Sequence, residues 1–231
     1  MSADNLQSPD ITEQKYVVDV YNKIAYHFDK TRIQIWKSVD EFIKSIKPNS
    51  LVIDVGAGNG KNAELRKDCK FVCTDISQEM VNICLKKGLE ATVADVTKMP
   101  YQDNTFDYVI CIAVIHHLST VERRQQAIKE LMRIVKPNGK IFVQVWAYES
   151  FNKSKKEGGS GKINNDSQDQ MIRWTLHKKF NNENSDKKQD EQIYRYYHFF
   201  KQGELDSLFD GFIIESSFVD HTNYCLIAGK K

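Results

Sequence analysis

The segment from Leu51 to Trp146 alternates short apolar runs with amphipathic stretches, and this alternation constrains the fold more than any other feature of the chain. Strand-length apolar runs separated by helix-length stretches are typical of parallel βαβ units. The predicted strands are Leu51–Val55, Lys70–Asp75, Ala91–Ala94, Tyr108–Ala113 and Ile141–Trp146. We therefore expect an α/β fold with a doubly wound, mostly parallel sheet.

The two ends of the chain add helices and a strand pair to this sheet. Residues 1–48 carry apolar side chains at helical spacing, which predicts N-terminal helices that stop at Pro48. Two apolar runs near the other end, Phe212–Val219 and Tyr224–Ala228, are joined by a short turn. Strands joined by a short turn must be antiparallel. The whole chain, 1–231, is expected to form a single domain.

Composition excludes several classes of protein. The chain has 231 residues and a formal net charge of +2, and it contains no apolar run near the roughly 20 residues of a membrane span. Its start is polar, without the apolar stretch of a signal peptide. The five cysteines form no CxxC pair and no metal-ligand spacing, so buried free thiols in a reducing compartment are expected. We expect a cytoplasmic protein, or one also found in the nucleus, that binds neither metal nor membrane.

Residues 149–192 interrupt the regular pattern. This stretch is polar and lysine-rich, with one apolar island at Met171–Trp174, and it predicts a long surface insertion that is mobile at least in part. Its lysine runs are compatible with solvated loop surface or with binding of a polyanion such as RNA. They comprise Lys153, Lys155, Lys156, Lys162, Lys178, Lys179, Lys187 and Lys188.

A glycine-rich loop follows the first strand and is predicted to open a helix. Its residues run Asp54-Val-Gly56-Ala-Gly58-Asn-Gly60. Glycines allow a ligand to approach the backbone closely, and free N–H groups at a helix start attract anions. An ordinary strand–helix turn is the alternative. Two carboxylates strengthen the prediction of a ligand site: Asp75 could accept from ribose hydroxyls, and Asp95 from an adenine amino group.

The spacing of the glycines separates two classes of cofactor. Dinucleotide enzymes carry GxGxxG, whereas this loop is GxGxG and is preceded by Asp54, which would repel a pyrophosphate but tolerate a cationic amino-acid group. The antiparallel strand pair also departs from a nicotinamide-binding sheet. The pattern favours S-adenosylmethionine as the cofactor. The apolar residues beside these positions that complete the predicted site are Ile76, Val96 and Ile112.

Residues 50–146 resemble the class I S-adenosylmethionine-dependent methyltransferases. The resemblance is carried by the glycine loop and by Thr74-Asp75, Ala94-Asp95-Val96 and Phe106-Asp107-Tyr-Val-Ile. It implies a seven-stranded sheet of order 3-2-1-4-5-7-6 with the last strand antiparallel.

A larger ordered set of segments resembles one family, the eukaryotic tRNA wobble-uridine carboxymethyl methyltransferases. The segments are Tyr21–Phe28 with Thr31, Arg32 and Trp36, Ala113–Thr120 with Glu122–Arg124, Val145–Ala147, Arg195–Phe199 and Gly203–Leu205. The resemblance implies methyl transfer to the carboxylate of 5-carboxymethyluridine in a tRNA anticodon, together with a small zinc-binding activator protein. Ala57 and Leu118 depart from residues common in the family, and the insertion has no counterpart.

A carboxylate acceptor is already ionised at neutral pH, so the reaction implied by the resemblance needs no general base. The useful groups are donors that orient the carboxylate and aromatic rings that hold the base. Arg32 and Arg195 are the candidates for orientation, His116 for donation to the substrate, and Trp146 for stacking on the uracil. Surface arginines, a structural hydrogen bond at His116 or His117, and core packing of Trp146 remain alternatives.

Two other functions stay open: a small-molecule methyltransferase of the same fold and a non-catalytic methyltransferase-like scaffold. Retention of both the glycines and the two carboxylates argues against the scaffold. The third strand, Ala91–Ala94, is expected at an open sheet edge, is short and has no lysine or proline to block pairing. Met99 and Pro100 adjoin it. We therefore expect the activator protein to add a strand at this edge.

Overall fold

The computed structural model describes residues 11–150, 167–176 and 191–230. Its helices are α1 (Ile11–Glu13), a π-helical turn (Gln14–Val18), α2 (Asp19–Thr31), α3 (Lys37–Ser45), α4 (Gln78–Lys86), α5 (Val121–Ile134) and α6 (Glu204–Ser207). Its strands are β1 (Leu51–Val55), β2 (Lys70–Asp75), β3 (Glu90–Val93), β4 (Phe106–Ile112), β5 (Val135–Trp146), β6 (Asp169–Leu176), β7 (Glu191–His198), β8 (Ile213–Asp220) and β9 (Asn223–Gly229).

Seven strands form one twisted sheet in the order β3-β2-β1-β4-β5-β9-β8. The first five pair in parallel, and β9 lies antiparallel to both β5 and β8. Counting only strands of this sheet, the order is the predicted 3-2-1-4-5-7-6. The labels of the final pair differ because two further strands, β6 and β7, precede it in the chain. The predicted fold class is confirmed.

Both faces of the sheet are covered, which explains why its central strands are apolar almost throughout. Successive side chains of a strand point to opposite faces. Ile53 and Val109 pack on the α5 side, whereas Val52 and Ile110 pack on the α3 side. All four side chains are fully buried. Fully buried parallel strands lack a polar face, so continuous apolar runs are the expected sequence pattern.

The N-terminal helices lie across the carboxyl ends of the central strands. Asn22 of α2 accepts a hydrogen bond from the Ser77 hydroxyl at 2.7 Å, and Ser77 in turn caps α4 by accepting from the Met80 N–H at 3.2 Å. Ser77 is thus the N-cap of α4. This contact links the helix before the sheet to the helix that follows β2. Within the described ranges, no helix is both long enough and apolar enough to cross a membrane.

The glycine loop does not open an α-helix, so that prediction was wrong. The chain after Gly60 forms turns and a single 3-10 turn, Ala63–Leu65, before β2 begins at Lys70. The segment is short, and its residues are used to return the chain to the start of the neighbouring strand. The ligand-binding properties of the loop must therefore come from its own backbone rather than from a helix terminus.

Residues 167–176 are not a surface insertion, and this part of the insertion prediction was wrong. β6 pairs with β7 in a separate antiparallel hairpin sheet. Trp174 and Leu176 face inward and pack with Val20 and Ile24 of α2. The alternation of inward and outward side chains along β6 is present in the sequence. The apolar surface against which the inward side chains pack, however, is a helix about 150 residues earlier in the chain. All the lysines of the predicted runs lie outside the described residues.

Candidate cofactor and acceptor site

One cavity at the carboxyl ends of β1, β2, β4 and β5 brings most of the predicted site residues together. The predicted cofactor residues that line it are Gly56, Gly58, Asp75, Ile76, Asp95, Val96 and Ile112. All four predicted catalytic residues, Arg32, His116, Trp146 and Arg195, line the same cavity. Asp54 and Gly60 do not line it. Residues of the N-terminal helices, including Val17 and Tyr21, cover it.

The glycine loop is fixed in a conformation that side chains disfavour. Gly56 and Gly58 have φ of 68° and 57° and both face the cavity. A Cβ on Gly56 would lie 2.2 Å from Val114 Cγ2, so the loop cannot accept a side chain there without moving β4's continuation. Gly60 also has a left-handed backbone conformation, but it does not line the cavity, and a Cβ added there would lie 2.4 Å from the Leu89 side chain. Gly60 therefore serves packing of the loop rather than the cavity.

Ala113 gives the cavity a second strained backbone position. It follows β4 and has φ of 60°, which is unusual for a residue with a side chain. Its N–H donates to the Gln144 carbonyl at 2.9 Å, which holds the turn in place. Residues held in sparsely populated conformations are concentrated at functional sites. Ala113 itself lines the cavity.

Asp75 is oriented by the backbone of the glycine loop. Its carboxylate accepts from the Gly58 N–H and from the Ser77 N–H, each at 2.9 Å. Burial raises the pKa of Asp75 to about 6, and these backbone hydrogen bonds partly oppose the rise. Each oxygen still has a lone pair for an external donor. This geometry fits a vicinal diol such as the ribose of a nucleoside.

Asp95 belongs to a network of charges that the sequence analysis missed. Its carboxylate accepts from the Thr97 N–H and hydroxyl at 2.8 Å and from Arg123 Nη2 at 3.0 Å. Arg123 also contacts the buried carboxylate of Glu13 at 3.0 Å. Glu13 in turn accepts from the N–H and hydroxyl of Ser119. The network therefore fastens α1 to the Asp95 side of the cavity.

The same network explains which residue caps α5. The segment Ser119-Thr-Val-Glu122 has the form of a capping box, in which Ser119 would be the cap. The cap is Thr120, whose hydroxyl accepts from the Arg123 N–H at 3.3 Å. Ser119 instead donates to Glu13. No local pattern could have shown this, because Glu13 and Arg123 are separated by 110 residues.

Asp54 lies beneath the glycine loop rather than on the cavity wall. It is fully buried and accepts from the Asn62 side-chain amide at 3.2 Å. Burial raises its pKa to about 7. Its other oxygen has no hydrogen-bond partner among the residues that the structure describes. Asp54 therefore supports the glycine loop from below and has no direct contact with the cavity in which the cationic end of a cofactor would lie.

The opposite half of the cavity is cationic. Arg195 is 5% exposed, and the guanidiniums of Arg32 and Arg195 have no carboxylate within ion-pair distance in the described part of the chain. Arg195 donates to the Tyr21 hydroxyl at 3.3 Å, while its Nε finds no acceptor among the described residues. Burial and the neighbouring Arg195 lower the pKa of Arg32. Arg32 is exposed at the cavity and Arg195 is buried. Guanidiniums without a counter-ion are suited to bind an external anion.

Burial keeps both histidines neutral, and hydrogen bonds fix the orientation of their rings. The Tyr21 hydroxyl lies 2.9 Å from His117 Nε2, and His117 Nδ1 lies 2.8 Å from the Tyr196 carbonyl, so Nδ1 carries the proton. Burial lowers the pKa of His117 to about 3. His116 Nδ1 accepts from the Trp146 N–H at 3.2 Å, and burial holds its pKa well below the usual range. The structure thus gives His116 a structural hydrogen bond inside the protein.

One face of the Trp146 ring packs against another aromatic ring. Its ring stacks on Tyr197 with centroids 4.5 Å apart and an interplanar angle of 10°. Because Trp146 is only partly buried and lines the cavity, a planar base could continue the stack on its other side. Tyr26 is 45% exposed and does not line the cavity.

Taken together, one half of the cavity offers glycine backbone and the carboxylates of Asp75 and Asp95, and the other half offers Arg32 and Arg195. The first half fits a nucleoside cofactor such as S-adenosylmethionine, since its wall combines diol acceptors with a loop in which Gly56 leaves no room for a side chain. Among the described residues, no group of acidic, histidine or cysteine side chains is arranged to hold a metal ion.

Comparison with known proteins agrees with this geometry. A family model for a methyltransferase domain matches residues 53–143. The tRNA (carboxymethyluridine(34)-5-O)-methyltransferase of Schizosaccharomyces pombe is 34% identical over 94% of this chain and 97% of that protein. Its Arabidopsis thaliana counterpart is 45% identical over 64% of this chain. The chain spans 37% of the Arabidopsis protein and 41% of the Xenopus tropicalis alkbh8 protein.

Solved structures with the same fold are more distant in sequence. A SAM-dependent methyltransferase from Aquifex aeolicus has a TM-score of 0.59 at 19% identity and covers 90% of this chain and 97% of its own. A putative methyltransferase in complex with the Haloferax volcanii Trm112 activator has a TM-score of 0.65 at 15% identity, covering 92% and 96%. These structures show the shared fold. The near full-length Schizosaccharomyces pombe relative shows that the chain belongs to the family of tRNA (carboxymethyluridine(34)-5-O)-methyltransferases.

Proposed function

We propose that this protein transfers a methyl group from S-adenosylmethionine to the carboxylate of 5-carboxymethyluridine at the wobble position of tRNA, forming a methyl ester. The observation that carries the proposal is a pair of guanidiniums, exposed Arg32 and buried Arg195, that have no carboxylate partner in the described part of the chain and lie beside a cavity half that fits a nucleoside. Family membership supplies the identity of the nucleoside and the RNA. The two arguments are independent.

The cofactor half of the site has defined roles for its residues. Asp75 would hold the ribose hydroxyls, Asp95 the adenine amino group, and the backbone of Gly56 and Gly58 the amino-acid end. S-adenosylmethionine supplies an activated methyl group on a sulfonium when it is bound. The protein contributes orientation and exclusion of water, since α1 and α2 cover the cavity.

The acceptor half orients an anion and removes no proton. A carboxylate is ionised far below neutral pH, and both nearby histidines are neutral and internally hydrogen-bonded. Arg32 and Arg195 would hold the carboxylate so that one oxygen faces the methyl group. Trp146, stacked on Tyr197, would hold the uracil ring. His116 is assigned a supporting role, because its Nδ1 already accepts from the Trp146 backbone.

RNA binding remains part of the proposal. A wobble base must leave its stack to reach a cavity of this kind, and phosphate contacts around it would make binding salt-dependent. The predicted lysine contacts lie outside the described residues. The five cysteines are free thiols, which supports the proposed cytoplasmic or nuclear location.

An activator subunit is proposed at the β3 edge. The Haloferax volcanii neighbour is in complex with the Trm112 activator. In this chain β3 lies at the end of the sheet and pairs on one side only, with β2. Val93 of that strand is 43% exposed. A free edge with an exposed apolar side chain suits strand addition by a second protein.

The decisive experiment is methyl transfer from radiolabelled S-adenosylmethionine to bulk tRNA, with nucleoside analysis of the product. We expect label in a methyl ester that mild alkali releases, with and without the activator as separate arms. Label in a base-stable methyl group would contradict esterification. Label in small metabolites but not in tRNA would favour a small-molecule methyltransferase, and S-adenosylhomocysteine binding without any transfer would favour a scaffold.

A further inference from the structure

Trp174 lies behind the acceptor half of the cavity and has no part in the function described above. It belongs to β6, is 5% exposed and does not line the cavity wall. Its ring stacks near Phe28 with centroids 6.2 Å apart and meets the edge of His27 at 5.4 Å. Both partners belong to α2. The indole is therefore held in place by the helix that covers the cavity.

Both free guanidiniums of the cavity rest on this one indole. The Arg32 Cζ atom lies 4.5 Å from the ring centroid, and the Arg195 Cζ atom lies 4.4 Å from it. These are cation–π distances, and tryptophan is the best aromatic partner for a cation. The neutral Trp174 side chain thus contacts two positive charges, one at the end of α2 and one in β7.

The kind of partner matters because the two arginines repel each other. A buried cation usually has a carboxylate partner, which compensates the charge but also occupies the guanidinium's donors. Trp174 stabilises each cation through its ring face and offers no acceptor. Its own N–H has no hydrogen-bond partner in the described part of the chain. The arginines are therefore held together, and apart from the Arg195 contact with the Tyr21 hydroxyl their N–H groups remain available to a ligand.

We infer that Trp174 is a positioning residue of the acceptor site, which keeps Arg32 and Arg195 together so that the site selects an anionic carboxymethyl group over a neutral carboxamide. This inference rests on the proposed function. An anion compensates two positive charges that nothing else in the described cavity compensates, whereas an amide of the same shape leaves them uncompensated. Trp174 acts through the arginines and does not touch the substrate.

Binding of two short RNAs separates this role from other anion sites. We would measure the affinity of S-adenosylhomocysteine-saturated protein for an anticodon stem-loop carrying 5-carboxymethyluridine and for one carrying 5-carbamoylmethyluridine. The two RNAs have identical phosphates, so the ratio of their affinities reports only the wobble substituent. The same protein's affinity for S-adenosylhomocysteine, measured by calorimetry, reports whether the arginines serve the cofactor's carboxylate instead.

We expect the wild-type protein to prefer the acid, and Trp174→Leu to lower that preference about tenfold. Trp174→Phe, which keeps an aromatic face, should retain most of it. Affinity for S-adenosylhomocysteine should stay within about twofold in both variants. The matched control is Arg173→Ala, which removes an exposed cation from the same strand and should leave the preference unchanged.

An undiminished preference in Trp174→Leu would overturn the inference, as would equal losses in the Phe and Leu variants or a parallel loss of cofactor affinity. If Trp174→Leu does not fold, Arg195→Lys tests the same contact, because lysine keeps the charge but not the planar stack; an unchanged preference there has the same consequence. Wild-type protein that methylates the acid RNA without preferring it over the amide defeats this inference alone. Failure to methylate it at all defeats the proposed function.

Discussion

Asp75 has two roles at the level of single residues, since it faces the cavity and also fixes the glycine loop through the Gly58 N–H. Asp75→Ala should weaken binding of S-adenosylhomocysteine by roughly 1.5–3 kcal/mol, because a charged acceptor is lost. Calorimetry measures this directly. Asp103→Ala, which removes an exposed carboxylate paired with Arg133, is the control and should have no effect. Unchanged affinity in Asp75→Ala would remove Asp75 from the cofactor site.

Arg32 and Arg195 should separate acceptor chemistry from cofactor binding. We expect Arg32→Ala and Arg195→Ala each to lower kcat/KM for tRNA by about 10²-fold, because the carboxylate loses a charge-assisted donor. Affinity for S-adenosylhomocysteine should barely change. Steady-state kinetics and calorimetry on the same preparations give both values. A parallel fall of cofactor affinity and turnover would assign the arginines to the cofactor instead.

The sequence predicted the position of a site residue where that position follows from the strand on which the residue lies. Asp75 and Asp95 end consecutive predicted strands, so their convergence at one edge follows from the topology. Glu13 and Trp174 carry no such signal, because each meets its partner far away in the chain. Asp54 was recognisable as part of the glycine motif, but its burial under the loop depends on Asn62 and could not be read from spacing.

At the level of elements, α1 is fastened to the site by Glu13. Glu13→Gln keeps the shape of the side chain but removes one of the two carboxylates that compensate the charge of Arg123. Both the Glu13 and the Arg123 side chains are almost fully buried. We expect a loss of about 2–3 kcal/mol in the free energy of unfolding. We also expect weaker binding of S-adenosylhomocysteine, because Arg123 contacts Asp95. Urea denaturation with and without the ligand tests both, and a variant that matches wild type in both would exclude this role.

The β3 edge gives a prediction about the activator. Val93→Lys should weaken a one-to-one complex with a small activator protein, because a charge would stand at the strand join. The control is Val219→Lys on β8, at the opposite edge of the sheet, where the side chain is 60% exposed. Co-purification and analytical ultracentrifugation compare the two variants. A fully active monomer that needs no activator would contradict the partner proposal.

The elements also show which patterns a sequence reveals. The main sheet was predictable because fully buried parallel strands are apolar throughout and the helices between them are amphipathic. The β6–β7 hairpin was not, because β6 lies within a polar stretch and its apolar face packs against Val20 and Ile24 of α2, far away in the chain. The helix expected after Gly60 failed for the opposite reason, since a familiar motif suggested an element that the short connection does not contain.

Over the whole molecule, the cavity is divided by charge, and the division follows the architecture. The carboxylates lie on one side of the sheet's centre, since Asp75 ends β2 and Asp95 follows β3. The cations come from elements outside the sheet, namely Arg32 at the end of α2 and Arg195 in β7. The shared fold thus supplies the nucleoside half of the site. The added helices and hairpin supply the cationic half, which we propose selects the acceptor.

This division determines how the whole reaction should depend on pH. Burial raises the pKa of Asp75 to about 6, so its charged form, which we propose accepts from the cofactor, is lost as the pH falls through that value. Affinity for the cofactor should therefore decline below about pH 6. Asp54 does not line the cavity, so its titration affects folding instead. Burial favours its neutral form and raises its pKa to about 7, so the folded state loses stability as the pH rises through that value.

At saturating cofactor, kcat should instead be flat from about pH 7 to pH 9. The acceptor carboxylate is fully ionised there, the arginines stay charged, and His117, with a pKa lowered to about 3, is already neutral. His116 is neutral for the same reason, because burial lowers its pKa. Stopped assays with the tRNA substrate across this range give the profile. A steep rise towards pH 9 would indicate deprotonation of an amine, thiol or hydroxyl acceptor and would contradict esterification of a carboxylate.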